Sequence, residues 1–207
     1  MPIDTFLESK NIRLDQQLRF TAEIDKMTSI LRRTMLIDGS RRENDAEHSW
    51  HISVMALIFA EYAVEPVDIG RAVKMCVVHD LIEIYAGDTF AYDVAGNQDK
   101  AEREAAAADK LFTQLPAEQG DEIRNLWEEF DAMKTPDAKY AACMDRLQPF
   151  LHNTLTEGHT WGESGTCRSS VEKRMAVIKE FMPEVYKWVE KNLDNAVTKG
   201  WLKADER

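Results

Sequence analysis

Apolar positions recur at three- and four-residue spacing along most of the chain, and alternating, strand-like runs are scarce. The pattern predicts an all-α protein. A short helix is expected over residues 4–9. An amphipathic helix over 15–33 would turn Leu18, Ala22, Ile24, Met27, Ile30 and Leu31 inward. A basic loop follows to Asn44, with a turn at Asp38-Gly39. Asn44 or Asp45 caps the next helix, which runs to about Val64 with Ile52, Met55, Ile58 and Phe59 inward. Another starts near Pro66, a residue suited to a first turn, and ends by Gly87. Residues 89–99 read as loop. Helices over 100–115 and 118–132 are separated by Pro116. Thr135-Pro136-Asp137 opens a helix with Tyr140, Ala141, Met144, Leu147, Leu151 and Leu155 inward. Residues 157–170 read as loop. A last helical region from Val171 to Leu193 is broken or kinked at Pro183, and a charged, mobile tail is expected after Gly200. The chain reads as one domain, with a core of about 15–155 and C-terminal helices of about 169–198 packed on it.

One segment departs from this simple amphipathic pattern. Val77-Val78-His79-Asp80-Leu81-Ile82-Glu83-Ile84-Tyr85-Ala86-Gly87-Asp88 places an imidazole and three carboxylates in an apolar run. Ile69, Ala72, Val73, Cys76 and Val77 have helical spacing that carries Asp80 onto the inward stripe, and Glu83 shares that side. Buried ionised groups are costly unless paired or bound to a metal. Taken by itself, a His-Asp pair is most simply a helix end with a satisfied histidine and solvated acids. Two further residues change that balance. His48 lies in the first turn of one predicted helix, and Asp145 lies mid-helix beside the inward stripe of another. Helical bundles build metal sites from side chains on facing helices. Two imidazoles with two carboxylates suit a borderline divalent metal such as Mn, Co, Fe, Ni or Zn.

Composition narrows the partners. The 207 residues, 44% hydrophobic, suffice for a real core. No apolar run approaches the roughly 20 residues of a membrane span, and the start shows no signal-peptide pattern. Cys76, Cys143 and Cys167 are odd in number and widely spaced, which argues against a disulfide framework or zinc knuckle. A reducing cytoplasm is the expected home. A net charge of −11 disfavours nucleic acid polymers and anionic membranes as partners. A small phosphate ester remains compatible, because a local cation can dominate at short range.

The order His48, His79-Asp80, Asp145 resembles the HD-domain superfamily of metal-dependent phosphohydrolases. Arg42-Glu43-Asn44-Asp45-Ala46-Glu47-His48-Ser49 is similar to the first-ligand motif of the branch holding bacterial 5'-deoxynucleotidases and eukaryotic HD-domain-containing protein 2. The segment from His79 to Asp88 matches that branch's HD, Glu and Gly-Asp run. Leu126-Trp127-Glu128-Glu129-Phe130, Ala138-Lys139 and Asp145-Arg146-Leu147 look like its last-ligand region. The resemblance spans about residues 15–155.

It implies an all-α HD fold, one divalent metal (Mn, Co, Fe, Ni, Zn or Mg) and commonly a homodimer. It carries over His48, His79, Asp80 and Asp145 as ligands, and Glu83 and Asp88 as the residues handling water and leaving group. It places a phosphate-contacting arginine at Arg33, with Arg32 close enough to be confused with it. Where the deoxynucleotidase has a tryptophan near the sugar, this chain has Thr34, which weakens the inference of a deoxyribose preference. The implied reaction is hydrolysis of (deoxy)nucleoside 5'-monophosphates. Another small phosphate ester, a cyclic nucleotide, or non-catalytic nucleotide binding are the competing readings. Asp88 could instead cap a turn. His51 reads as core or as a supporting residue, Arg41 and Arg42 as surface or secondary phosphate contacts. His152, His159 and Trp161 read as packing or pocket-mouth residues.

Overall fold

The computed structural model describes residues 7–93 and 95–205. The helix expected over 4–9 lies largely outside them, and Leu7–Ser9 form no α-helix. Helix α1, Ile12–Ile24, starts where the Asn11 side chain accepts from Leu14 N. The helix expected to continue to residue 33 stops there. A 3-10 turn, Asp25–Ser29, leads into strand β1, Leu31–Met35, which pairs antiparallel with β2, Arg42–Asn44. The turn falls at Asp38-Gly39 as expected. Gly39 has φ 69° and Asp38 Oδ1 accepts from Ser40 N. The hairpin escaped the hydrophobic pattern because its inward positions are polar. Leu31 is exposed, whereas Arg32 and Thr34 turn toward the interior. It is the only sheet among the described residues, so the all-α reading otherwise holds.

Helix α2, Asp45–Ile58, begins with a reciprocal cap: Asn44 accepts from Glu47 N and Glu47 accepts from Asn44 N. Helix α3, Ile69–Val78, is capped by Asp68 and starts later than Pro66. The helix expected to reach Gly87 is interrupted. Residues 79–82 form turns, and a single helical turn, α4, Glu83–Ala86, follows before Gly87 at φ 76°. Helices α5, Lys100–Phe112, and α6, Ala117–Ala132, flank Pro116 as read. Thr135 caps α7, Pro136–Leu155. The stretch expected to be loop contains α8, His159–Ser164, and the start of α9, Arg168–Arg174. Pro183 divides α10, Ala176–Phe181, from α11, Pro183–Thr198, where it occupies the first turn.

Helix α7 is the axis of the core. It packs against α2, α3, α6, α10 and α11, and buries Tyr140, Ala141, Met144, Leu147 and Phe150. Each large apolar side chain so buried contributes about 1.5–3 kcal/mol. Tyr140 remains satisfied by donating to Ala56 O at 2.8 Å. Some residues read as inward are exposed instead, namely Leu18, Ala22, Leu31, Ile58, Val77 and Leu155. The described part of the tail is tied down rather than loose at residues 202–203. Leu202 is buried and Lys203 forms a parallel bridge with Cys167.

That docked tail bears on the cleft described next. Gly158, at φ 70°, precedes α8, and a Cβ there would meet Trp201 Cβ at 2.6 Å and Trp201 O at 2.7 Å. Thr160 on α8 in turn donates to Arg33 O. A Gly158→Ala variant combines a disfavoured left-handed conformation with overlap. It is expected to lose on the order of 1–3 kcal/mol, read as a lower melting temperature. An unchanged melting curve would show that the tail yields freely.

Candidate metal centre and substrate cleft

Four elements deliver the chemistry to one buried point. The cap at Asn44 starts α2 so that Asp45 and His48 face inward. His79 and Asp80 leave the end of α3, Glu83 begins α4, and Asp145 projects from α7. His48 Nε2 lies 3.2 Å from Asp145 Oδ1 and 4.0 Å from Asp80 Oδ2. His79 Nε2 lies 3.0 Å from Asp80 Oδ2 and 3.8 Å from Asp145 Oδ1. The structure therefore brings together His48, His79, Asp80 and Asp145.

The donor set suits a cation on more than proximity. His79 Nδ1 sits 2.9 Å from Cys76 O, which can only accept, so Nδ1 carries the proton. The opposite nitrogen, Nε2, is buried and makes no hydrogen bond. It faces two carboxylates, which is the arrangement of an imidazole ready to coordinate with its other nitrogen held by backbone. His48, His79 and Asp145 present ligand atoms within 4.8 Å of one another, and Asp45, Asp80 and Glu83 form an adjoining group of the same compactness.

Electrostatics divide these groups. Burial drives the His48 pKa down to about 4, with Arg32 adding to the effect, so the ring is neutral at neutral pH. Burial opposes charge on His79 too, but Asp80 outweighs it and raises that pKa. Asp80 and Asp145 are also penalised by burial, yet stay well below the usual carboxylate range. His79 and Arg32 hold Asp80 down, and His48 and Arg174 hold Asp145 down. Glu83 goes the other way. Burial, reinforced by Asp80, pushes it well above its ordinary value. Burial likewise lifts Asp88, and it lifts Asp45 and Glu43 to about 7.

The two adjacent arginines are separated by strand geometry, since successive side chains leave opposite faces. Arg32 turns inward: Nη1 is 2.6 Å from Asp80 Oδ2 and 3.4 Å from Asp45 Oδ1, and Nε is 3.6 Å from Glu43 Oε1. Arg33 is exposed, and its guanidinium lies over the Phe90 ring at 5.0 Å. Both line a cleft of about 220 Å³ with Glu83, Asp88, Phe90 and Tyr92, and Thr34 stands on its wall. Arg103 holds the loop carrying Asp88 and Phe90 by donating to Ala86 O, Thr89 Oγ1 and Gly96 O.

The remaining candidates sort clearly. His51 is half-buried behind the site, with Nδ1 3.3 Å from Gln148 Nε2. His152 is buried rather than at a pocket mouth, and His159 is on the surface beside Glu163. Trp161 is buried and lines the cleft. Arg41 and Arg42 are spent on Glu47 and Glu163. Sequence reasoning missed Glu43, Asp45, Gln148 and Arg174. Gln148 carried a usable signal, one helical turn after Asp145. Arg174, whose Nη2 is 3.2 Å from Asp145 Oδ2, carried none.

A helical bundle that converges two histidines and several carboxylates on one buried point beside a cation-lined cleft defines a class of metal-binding helical domains. Within it, the family model for the HD domain matches residues 24–186, and the chain belongs to that family. Curated relatives include proteins named 5'-deoxynucleotidase HDDC2. The one from Bos taurus is 29% identical over 109 residues, 53% of this chain and 52% of that protein. The one from Danio rerio is 28% identical over 139 residues, 67% of this chain and 68% of that protein. The chain thus spans about half the length of the bovine relative it matches. Among solved structures, a protein from Magnetospirillum magnetotacticum MS-1, described as a predicted metal-dependent phosphohydrolase, is 48% identical. It covers 93% of this chain and 99% of its own, with a TM-score of 0.87. PH0347 protein from Pyrococcus horikoshii OT3, 21% identical, shares the fold at a TM-score of 0.57, over 88% of this chain and 99% of its own.

Proposed function

We propose that this protein is a metal-dependent phosphohydrolase that converts (deoxy)nucleoside 5'-monophosphates to nucleoside and phosphate. The observation that carries the reading is the bare His79 Nε2, buried among His48, Asp80 and Asp145 at the floor of an arginine-lined cleft. The names of the curated relatives and of the Magnetospirillum protein support it.

In this reading His48, His79, Asp80 and Asp145 hold one divalent ion. When bound, such an ion polarises phosphoryl oxygens and makes water a stronger nucleophile at neutral pH. The chain's own groups do the rest. Arg33 is free of a carboxylate partner among the described residues and can grip the phosphate with two parallel donors. Arg32 is committed to Asp80, Asp45 and Glu43, so it organises the floor rather than the substrate. Glu83, whose pKa burial and then Asp80 raise, is placed to hand a proton to the departing 5'-oxygen. Asp88 faces the same cleft and orients the attacking water.

A homodimer is part of the proposal. Helix α2 leaves Trp50, Leu57 and Ile58 more than half exposed, an apolar face suited to a second copy. A cytoplasmic location fits the three unpaired cysteines.

The test is a substrate panel with added Mn or Co. Deoxy- and ribonucleoside 5'-monophosphates are expected to release phosphate, and chelation to abolish the release. A cyclic nucleotide or another small ester turned over in their place would move the assignment to the alternative phosphohydrolase. Metal-replete protein that binds nucleotides but hydrolyses none would make it a binding module.

A further inference from the structure

Resting on the reading of the cleft as a phosphate-ester site, we infer that Arg146 is a second phosphate-binding residue, which together with Arg33 selects a monoester over a diester. Arg32, Arg33, Lys100, Arg146 and Arg174 all line the cleft. Three of them are committed to carboxylates. Arg32 Nη1 is 2.6 Å from Asp80 Oδ2, Lys100 Nζ is 3.5 Å from Glu104 Oε1, and Arg174 Nη2 is 3.2 Å from Asp145 Oδ2. Arg33 and Arg146 form no salt bridge among the described residues. Arg33 at least lies over the Phe90 ring. Arg146 has poorer company. Its Nη2 meets the Met133 thioether at 2.9 Å, its Nη1 donates to Arg174 O at 3.3 Å, and its Nε is buried without a partner. A thioether is a weak acceptor, so most of the guanidinium's donors are unspent.

The nearest acid in sequence does not serve it. Asp145 precedes Arg146 on α7, and neighbours one residue apart on a helix do not face each other. Both Asp145 oxygens are also taken: Oδ1 faces the His48 and His79 rings, and Oδ2 accepts from Arg174. An enclosed guanidinium without a counter-charge is costly, and an anion entering the cleft removes that cost. The main chain of Arg174 holds Arg146 while its side chain holds Asp145, so α9 fixes the second guanidinium close to the candidate metal ligands. Arg146 thus stands on the α7 wall, whereas Arg33 comes from β1. A phosphate monoester has three non-bridging oxygens and a diester has two. With one oxygen spent at the centre formed by His48, His79, Asp80 and Asp145, a monoester still offers one to each arginine. A diester leaves one arginine unmatched, and a site rejects an analogue most strongly when its own polar groups are left unpaired.

The test compares wild type, Arg146→Met and Arg146→Gln, each loaded with Mn. Inorganic phosphate and dimethyl phosphate, a diester, are titrated into each by calorimetry. Wild type is expected to bind phosphate more tightly than dimethyl phosphate. Arg146→Met is expected to lose about 10–100-fold in phosphate affinity, the effect of one hydrogen-bonded charge contact. Arg146→Gln keeps a donor for Arg174 O, loses the charge and should show a similar loss. Melting curves recorded without phosphate separate binding from scaffolding. Removing an uncompensated guanidinium should leave Arg146→Met as stable as wild type or more so. Unchanged phosphate affinity in either folded variant would overturn the inference, and a lower melting temperature beside it would make Arg146 a strut for α9. Wild type that binds no phosphate, or binds both anions equally, would overturn it as well. A wild type that hydrolyses no monophosphate, yet loses phosphate affinity on Arg146→Met, would sink the proposed function and leave the phosphate contact standing.

Discussion

Replacing Glu83 by glutamine is expected to cut turnover by about 10²–10⁴-fold while leaving the bound metal in place, the usual contribution of a positioned proton donor. Glu83 is buried at the start of α4, its Oε2 has no hydrogen-bond partner, and it lines the cleft. Burial, then Asp80, raises its pKa well above the ordinary 4.5, so the neutral acid persists where a surface glutamate is ionised. Glutamine keeps the shape and loses the transferable proton. Glu83 is not among the four proposed ligands, His48, His79, Asp80 and Asp145, so metal content measured by mass spectrometry should be unchanged. Full activity in metal-loaded Glu83→Gln would remove Glu83 from the mechanism. Loss of metal together with activity would instead make it a ligand, in company with Asp45 and Asp80. Stability gives a second readout with a definite sign. An acid whose pKa is raised by folding binds its proton more tightly in the native state, so native stability falls as pH rises above 4.5. Metal-free Glu83→Gln escapes that loss. It should melt higher than metal-free wild type at pH 8, and the difference should vanish near pH 4.

The sequence made the ligands easier to see than the scaffold that holds them. His48, His79, Asp80 and Asp145 stood out because polar groups on apolar helical stripes break a pattern that burial otherwise enforces. The hairpin was invisible for the converse reason. Its inward positions, Arg32 and Thr34, are polar, while Leu31 faces out, so hydrophobic periodicity ran a helix to residue 33 and left the rest as a basic loop. That error left Arg32 and Arg33 as near-equivalents in a loop. Pairing with β2 sends one to the carboxylates and the other to the Phe90 ring. The break at residues 79–82 was hidden too, because its backbone stays near helical and apolar residues flank His79-Asp80 on both sides. Gln148, Glu43 and Arg174 act through contacts with residues far along the chain, and spacing alone does not encode such pairings.

Asp145→Asn should abolish metal binding and, with it, the metal-dependent part of the melting temperature. Asp145 lies 3.2 Å from His48 Nε2 and 3.8 Å from His79 Nε2 through Oδ1, so it is the acid nearest both rings from the α7 side. Were it only a buried charge, its removal would be harmless or stabilising. The structure changes that expectation for the metal-free protein, because Oδ2 accepts from Arg174 at 3.2 Å. Although burial opposes ionisation, His48 and Arg174 keep Asp145 well below its ordinary 3.8, so it adds stability above that pH and loses it on acidification. The asparagine variant is thus expected to melt below wild type even in chelator. Absolute melting temperature therefore does not identify a ligand, but the difference made by chelator does. A ligand present at 100 times its dissociation constant stabilises the folded state by about 2.7 kcal/mol. For a chain of this length that is on the order of 5–10 °C. Wild type should lose this increment on chelation, whereas the Asp145→Asn curves with and without chelator should superimpose. Mass spectrometry should find the variant metal-free, and hydrolysis should fall to background. An asparagine variant that keeps full metal occupancy and the wild-type chelator shift would place the fourth ligand elsewhere. Asp45, buried 3.4 Å from the Arg32 guanidinium and grouped with Asp80 and Glu83, would then be the next acid to replace.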